Sequence, residues 1–264
     1  MSSSKVTSPP NVVKLALPKG SLQRDTAEFF ARAGYRVQGY DDSSRGYRPT
    51  VLGESIETKV LRPQEIPMYV AEGVYDAGIS GLDWLLETQS YRDVETVDLR
   101  YGRVDIVLAV HESLQDVKSA EDLLSLARTR SGIRIATEYL NLTEQMVLQV
   151  TGDDPTVVTP WRSSSKHRES PVTIFLSFGA TEGKPPEDAD AIVDNTATGK
   201  TLAENGLRIV HYLLRDSTAR LIISRRALAD KRKHPLLELL QERFRETSGA
   251  SKARRPGLAL HVEP

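Results

Sequence analysis

Short apolar runs that end in a glycine or proline turn and pass directly into an amphipathic segment recur along this 264-residue chain. That alternation restricts the fold to α/β sheets covered by helices. In the first instance VVKLALP (12–18) ends at Lys19-Gly20, and SLQRDTAEFFARAGY follows with Leu22, Ala27, Phe29, Phe30 and Ala33 at helical spacing before Gly34. In the second, IETKVL leads through Arg62-Pro63 into QEIPMYVAEG, where Ile66, Tyr69 and Val70 mark a helix face that Gly73 closes. DAGIS and GLDWLLE supply a third strand and helix. A second series starts at GRVDIVLAV (102–110) and runs through EDLLSLA (helix), IRIAT (strand), LTEQMVLQVTG (helix) and the strands TVVT, VTIFLS and ADAIVD. RIVHYLL and ARLIIS follow as strands, and ALADKRKHPLLELLQERFRETSG reads as one amphipathic helix interrupted at Pro235.

Two such series predict two α/β lobes with a cleft between them. The first lobe takes residues 12–103 plus 207–225 and the second takes 104–206. Residues 1–11 are expected to form a disordered arm, and 226–264 a C-terminal helix and tail. No apolar run approaches the roughly 18 residues of a membrane span. The start, MSSSKVTSPPNVV, has polar residues and prolines where a signal peptide carries its apolar core, so a cytoplasmic protein is expected. Zero cysteines exclude disulfides and thiolate metal sites, and the five histidines are scattered without metal-ligand spacing. A net charge of −1 gives no general case for nucleic-acid binding, and the basic clusters near the C-terminus read as a solvated tail.

One stretch carries chemistry of its own. DAIVDNTATGKTLAENG (190–206) contains Thr-Gly-Lys-Thr, the ending of a G-x-x-x-x-G-K-[ST] phosphate loop, but Asp194 stands where that loop needs its first glycine. An ATPase loop is therefore the weakest reading. An apolar strand ending in Asp194, a short turn, and Thr198-Gly199-Lys200-Thr201 opening a helix form a cradle for a monophosphate, with helix-start N–H groups and two hydroxyls as donors. Asp194, acceptor-only when ionised, suits ribose hydroxyls on the adjoining sugar. The alternative is an ordinary capped helix after a buried strand.

The segments LALPKGSL, LRPQEIPMYVAEGVYDAGISGLDWLLE, VDLRYGRVDIVLAV, RIATEYLNLT, SFGATEG, DAIVDNTATGKTLAENGL and STARLIIS, taken in order, resemble the ATP phosphoribosyltransferase family, whose members open histidine biosynthesis. The resemblance covers residues 12 to about 226. It implies a two-lobed fold like that of type II periplasmic binding proteins, with the active site in the inter-lobe cleft. It implies a Mg2+-assisted reaction in which N1 of ATP displaces pyrophosphate from C1 of 5-phosphoribosyl 1-pyrophosphate. Carried over by position, Asp194, Thr196, Ala197, Thr198, Gly199, Lys200 and Thr201 would hold the ribose and 5-phosphate of the donor. Lys19, Arg45 and Arg62 would act catalytically at the leaving group, and Gly20, Gly81, Asp83 and Glu182 would serve the ATP side. No protein metal ligand is assigned, because Mg2+ bound to phosphates keeps much of its water. Each assignment has a plainer counterpart: Lys19 and Arg45 as surface charges, Arg62 and Asp83 as helix-start residues, Glu182 as a structural residue.

The chemistry agrees with the resemblance. Breaking the C1–O bond leaves a cationic sugar and a pyrophosphate, so the site needs cations at the leaving group and an anchored phosphate at the other end. N1 of adenine has no proton to lose, so positioning and electrostatics suffice. Departures exist: the first motif reads K-G-S rather than K-G-R, and GKPPED is one residue short of the family pattern, with Glu187 or Asp188 where a glycine is expected. The roughly 40 residues after Arg225 lack the strand pattern of the family's histidine-binding domain, so histidine inhibition within this chain is not expected. A homo-oligomer and a regulatory subunit resembling histidyl-tRNA synthetase are the implied partners, with the helix at 227–247 as a docking element. A phosphoribosyltransferase with another acceptor, or a non-catalytic nucleotide-binding module, is the alternative.

Overall fold

The computed structural model describes residues 11–41, 43–130, 132–161 and 170–249. The N-terminal arm, most of the WRSSSKHRES loop and the tail beyond the last helix lie outside the described residues. Among those described, 11–102 with 218–249 form one compact unit, and 103–217 form the other.

The first unit holds strands β1 (Val13–Pro18), β2 (Val37–Gln38), β3 (Thr50–Val51), β4 (Ile56–Leu61), β5 (Ala77–Gly81) and β6 (Val94–Asp98), joined late in the chain by β13 (Ala219–Ser224). They form one sheet in the order β2-β3-β4-β1-β5-β13-β6. β1 pairs parallel with both β4 and β5, while β13 lies antiparallel to both β5 and β6. β5, the sequence AGISG, is buried throughout, as expected of a strand covered on both faces. Around the sheet lie α1 (Ser21–Arg32), α2 (Ile66–Ala71) and α3 (Leu82–Glu87), and later α7 (Arg225–Ala229) and α8 (His234–Ser248). On α1, Leu22, Phe29 and Phe30 are buried as their spacing predicts. On α2 only Ile66 and Val70 of the expected face are buried; Tyr69 is 37% exposed and its ring lies 6.2 Å from that of Tyr75.

The second unit holds β7 (Val104–His111), β8 (Ile133–Thr137), β9 (Thr156–Val158), β10 (Val172–Leu176), β11 (Ala191–Thr196) and β12 (Leu207–Ser217), in the sheet order β12-β7-β11-β8-β10-β9. Its helices are α4 (Ala120–Thr129), α5 (Leu140–Thr151) and α6 (Lys200–Glu204). β12 corrects the sequence reading, which gave residues 207–225 to the first lobe. It pairs antiparallel with β7 from Leu207 opposite His111 to Ser217 opposite Val104, so the chain leaves this unit only after Ser217. The apolar pattern of RIVHYLL identifies a strand but does not say which sheet it extends.

The C-terminal helix is the other correction. Pro235 does not interrupt one long helix; it sits in the first turn of α8, where no intrahelical N–H is needed, after a turn at Asp230–Lys233. The apolar face of α8 is covered by the first unit itself. Phe244 is fully buried, with its ring centroid 5.1 Å from both Phe29 and Phe30 and 6.0 Å from Tyr35. At the start of α8, Lys233 Nζ reaches both carboxylate oxygens of Asp76 at 2.8 Å, and Asp76 also accepts the Lys14 amide. The helix belongs to the core and offers a partner only its outer side. Phe244→Ala is expected to lower the unfolding free energy of the full chain by about 3–5 kcal/mol, measured by urea denaturation.

Candidate active site

β8, β10 and β11 run parallel, so their carboxyl ends share one edge of the second sheet, the edge at which open α/β sheets receive ligands. Asp194 lies near the end of β11, opposite Val107 of β7, after three fully buried residues, Ala191, Ile192 and Val193. The Asn195 amide donates to Asp194 Oδ1 at 2.7 Å, and Asn195 Nδ2 lies 3.3 Å from both that oxygen and the Tyr139 hydroxyl. Glu138 directly follows β8, and Glu182 occupies a 3-10 turn, Thr181–Gly183, that follows β10. Burial pushes the Asp194 carboxyl up to about 6, and the negative charges of Glu182 and Glu138 add to that rise against the lowering effect of the Asn195 amide.

Beyond β11 the chain folds tightly on itself. Gly199 adopts a left-handed φ of 73° and donates its amide to Thr196 Oγ1 at 2.8 Å; the Lys200 amide lies 3.4 Å from Thr198 Oγ1. Leu202 anchors α6 among Val107, Ala109 and Ile192, while Ala197, Thr198, Lys200 and Thr201 remain exposed. α6 has only five residues, so its dipole is small. With the Gly199 and Lys200 amides turned onto the threonine hydroxyls, the amides of Ala197, Thr198, Thr201 and Leu202 and the hydroxyl protons are the donors left for an anion. The shortened GKPPED loop beside it is held by Arg134, whose Nη1 donates to the Glu187 carbonyl at 2.9 Å and whose Nε lies 3.2 Å from Asp190 Oδ2. Neither Glu187 nor Asp188 has positive φ, which explains why the loop closes without the family's glycine.

In the first unit the predicted residues also gather at strand ends. Lys19 follows β1, Arg62 follows β4, and Gly81 ends β5, the three parallel neighbours of that sheet. The Lys19 amide donates to the Leu61 carbonyl at 2.8 Å, which sets Lys19 beside the start of the Arg62 turn. Lys19 Nζ sits 4.8 Å from the centroid of the Tyr47 ring and 3.3 Å from its hydroxyl, a cation–π contact that orients the ammonium. Arg45 is exposed in the same loop as Tyr47, two residues earlier. Gly20 precedes α1 with φ 85° and ψ −140°, a conformation open to glycine alone, and leaves that helix start without a side-chain cap. Arg62 is exposed, and its turn closes through the Glu65 amide on the Arg62 carbonyl at 3.0 Å.

Asp83 is different. It is 3% exposed, and a Cβ on Gly81 would lie 2.0 Å from its Oδ1, so the carboxylate is folded back over the start of α3 and only glycine fits beneath it. That geometry favours the helix-start reading for Asp83. Gly81 is explained by the same close approach.

The structure thus brings Asp194, Thr196 to Thr201 and Glu182 together in one unit, and Lys19, Arg45, Arg62, Gly20, Gly81 and Asp83 in the other. Sequence reasoning missed Glu138, Asn195, Tyr139 and Tyr47. Glu138 was the one within reach, since a carboxylate immediately after a parallel strand stands at the ligand edge.

The two-lobed α/β fold is that of the type II periplasmic-binding-like proteins. Solved structures that share it include an ancestral arginine-binding protein bound to arginine (TM-score 0.51, 16% identity, 91% of this chain and 93% of that one). They also include an ATP phosphoribosyl transferase (HisG:HisZ) complex from Thermotoga maritima (TM-score 0.65, 24% identity, 91% of this chain and 100% of that one). The sequence goes further. The family model for ATP phosphoribosyltransferase, HisG, matches residues 62–246. An ATP phosphoribosyltransferase of Thermodesulfovibrio yellowstonii is 38% identical over 221 residues, 82% of this chain and 65% of the relative. One from Chlorobaculum parvum is 39% identical over 213 residues, 79% of this chain and 62% of the relative. One from Pelotomaculum thermopropionicum is 37% identical over 258 residues, 95% of this chain and 77% of the relative. The chain belongs to the ATP phosphoribosyltransferase family, and it spans slightly less than two thirds of the first two of these relatives.

Because the Asp194 pKa is raised on folding, the folded state holds its proton over a range in which the unfolded chain has lost it. Its contribution is unfavourable at neutral pH and absent below the ordinary carboxylate value. Stability is therefore expected to fall as pH rises from about 3.8 to about 6. Asp194→Asn should stabilise the protein at pH 8 by about 1–2 kcal/mol. NMR titration of Asp194 should give a midpoint near 6 that moves down in Glu182→Gln.

Proposed function

We propose that this protein is an ATP phosphoribosyltransferase, joining N1 of ATP to C1 of 5-phosphoribosyl 1-pyrophosphate with release of pyrophosphate, the first step of histidine biosynthesis. The observation that carries the reading is Asp194, poorly solvated and followed directly by the Thr196–Thr201 turn, in a chain of this family. Ionised at neutral pH, Asp194 accepts the two ribose hydroxyls, whose O–H groups replace the hydration it has lost. Thr198, Thr201 and the loop amides hold the 5-phosphate, with Thr196, Ala197, Gly199 and Lys200 shaping the turn. The sugar, fixed at both ends, presents C1 to the incoming nitrogen.

The same acidic cluster has a second role. As the C1–O bond breaks, positive charge develops on the ribose, and Asp194, Glu182 and Glu138 place a negative field beside it. We assign the departing pyrophosphate to Lys19, Arg45 and Arg62, and contacts to ATP to Gly20 and its uncapped helix start. Among the described residues no group of three or more histidines and carboxylates is arranged to hold an ion. A Mg2+ would enter on the substrate's phosphates and water, which needs few protein ligands. Bound there, it supplies charge neutralisation to the leaving group.

We place the enzyme in the cytoplasm as a homo-oligomer. The HisG:HisZ complex of the T. maritima relative supports a regulatory subunit as a further partner.

Purified protein with ATP, phosphoribosyl pyrophosphate and Mg2+, alone and with such a subunit, is expected to form an N1-phosphoribosyl adenine nucleotide. Asp194→Ala should raise the KM for the donor at least tenfold, a loss of about 1.4 kcal/mol, without lowering thermal stability. A variant that loses stability and donor binding together would return Asp194 to a structural role, and no adduct under either condition would overturn the activity.

A further inference from the structure

The second sheet carries one feature at its ligand edge that the donor site does not use. Trp161 and Phe178 are each 72% exposed, the two most exposed large apolar side chains among the described residues, and their rings form an edge-to-face pair with centroids 6.4 Å apart at 66°. Trp161 lies three residues past β9 and Phe178 two past β10, so both stand at the carboxyl ends of strands parallel to β11.

The residues on either side of Phe178 are fixed by contacts of their own. On one side Ser177 is buried, donates its amide to the Thr137 carbonyl at 2.8 Å and shares a hydroxyl contact of 2.9 Å with Thr181. On the other, Gly179 has φ 93° and packs against Glu138, whose Oε1 lies 4.0 Å from where a glycine Cβ would be. Glu138, whose charge acts on Asp194, therefore lies beside the Gly179 turn that directly follows Phe178. Two large rings exposed side by side to water suit a flat apolar surface brought in by a ligand.

The spacing suits a purine. β10 and β9 are two and three strands from β11, which at about 4.8 Å per strand sets the rings roughly 10 and 14 Å along the edge from the cradle. In a 5-phosphoribosyl group joined to N1 of a purine, C1 is roughly 6 Å from the phosphorus and the far edge of the base roughly 7 Å further, by summed bond lengths of about 1.5 Å. A phosphate in the cradle thus brings the purine to the aromatic pair.

We propose that Trp161 and Phe178 form the platform on which the adenine ring of the acceptor nucleotide stacks. The proposal rests on the phosphoribosyl-transfer reading for the acceptor's identity. Trp161→Leu and Phe178→Leu are each expected to raise the KM for ATP about tenfold and leave the KM for phosphoribosyl pyrophosphate and the melting temperature unchanged, while Trp161→Phe and Phe178→Tyr stay near wild type. The chain has two tryptophans, so in a Trp84→Phe background the emission reports Trp161 alone, and ATP should quench it where tripolyphosphate does not. An enzyme that makes the adduct while both leucine variants keep the wild-type KM for ATP would overturn the platform and leave the activity standing. Should the wild type make no adduct, quenching by ATP would still support the platform, and no quenching would overturn it.

Discussion

A half-buried carboxylate beside two others is costly, and the organisation of the second unit is what maintains it. β11 is an interior strand, paired on one side with β7 and on the other with β8, so Asp194 cannot move outward without breaking a ladder. β8 leads directly into Glu138, and Arg134 of the same strand holds the loop at 184–190 through the Glu187 carbonyl and Asp190. The raised Asp194 pKa is the consequence. Under the proposed reading, a ribose that supplies two hydroxyl donors and then develops positive charge would relieve this arrangement, most when the sugar is most cationic.

The first unit solves a different problem with the same architecture. Its parallel strands deliver Lys19 and Arg62 to one edge, and Tyr47 gives the lysine ammonium an aromatic face to rest on. The opposite end is closed by α8 through Phe244 and by the Lys233–Asp76 pair.

Much of this was legible in the sequence, and what was not has physical causes. Alternating strand and helix patterns gave both sheets, because a buried strand and an amphipathic helix have distinct periodicities. Asp194 and the Thr-Gly-Lys-Thr turn stood out because their residue types imply hydroxyl and phosphate chemistry. The partner of a strand is another matter: RIVHYLL carries the same apolar signal whichever sheet it joins, and so β12 was misplaced. Tyr69 matched helical spacing, yet the third buried position of α2 is Pro67, and Tyr69 lies outside against Tyr75. Glu138 could be read as a strand-end carboxylate, but that its charge acts on Asp194 depends on which strands are neighbours in space. The fold-back of Asp83 over Gly81 depends on a single side-chain conformation that no spacing encodes.

The central claim is that the Thr-Gly-Lys-Thr turn holds the phosphoribosyl donor and that ATP takes part as a nucleophile with its triphosphate intact. The most direct measurement follows isotopic label through one turnover. With label in the pyrophosphoryl group of the donor, free pyrophosphate should carry it; with label in the γ-phosphate of ATP, all of it should remain on the nucleotide. Label from ATP appearing as free phosphate or pyrophosphate would contradict the account.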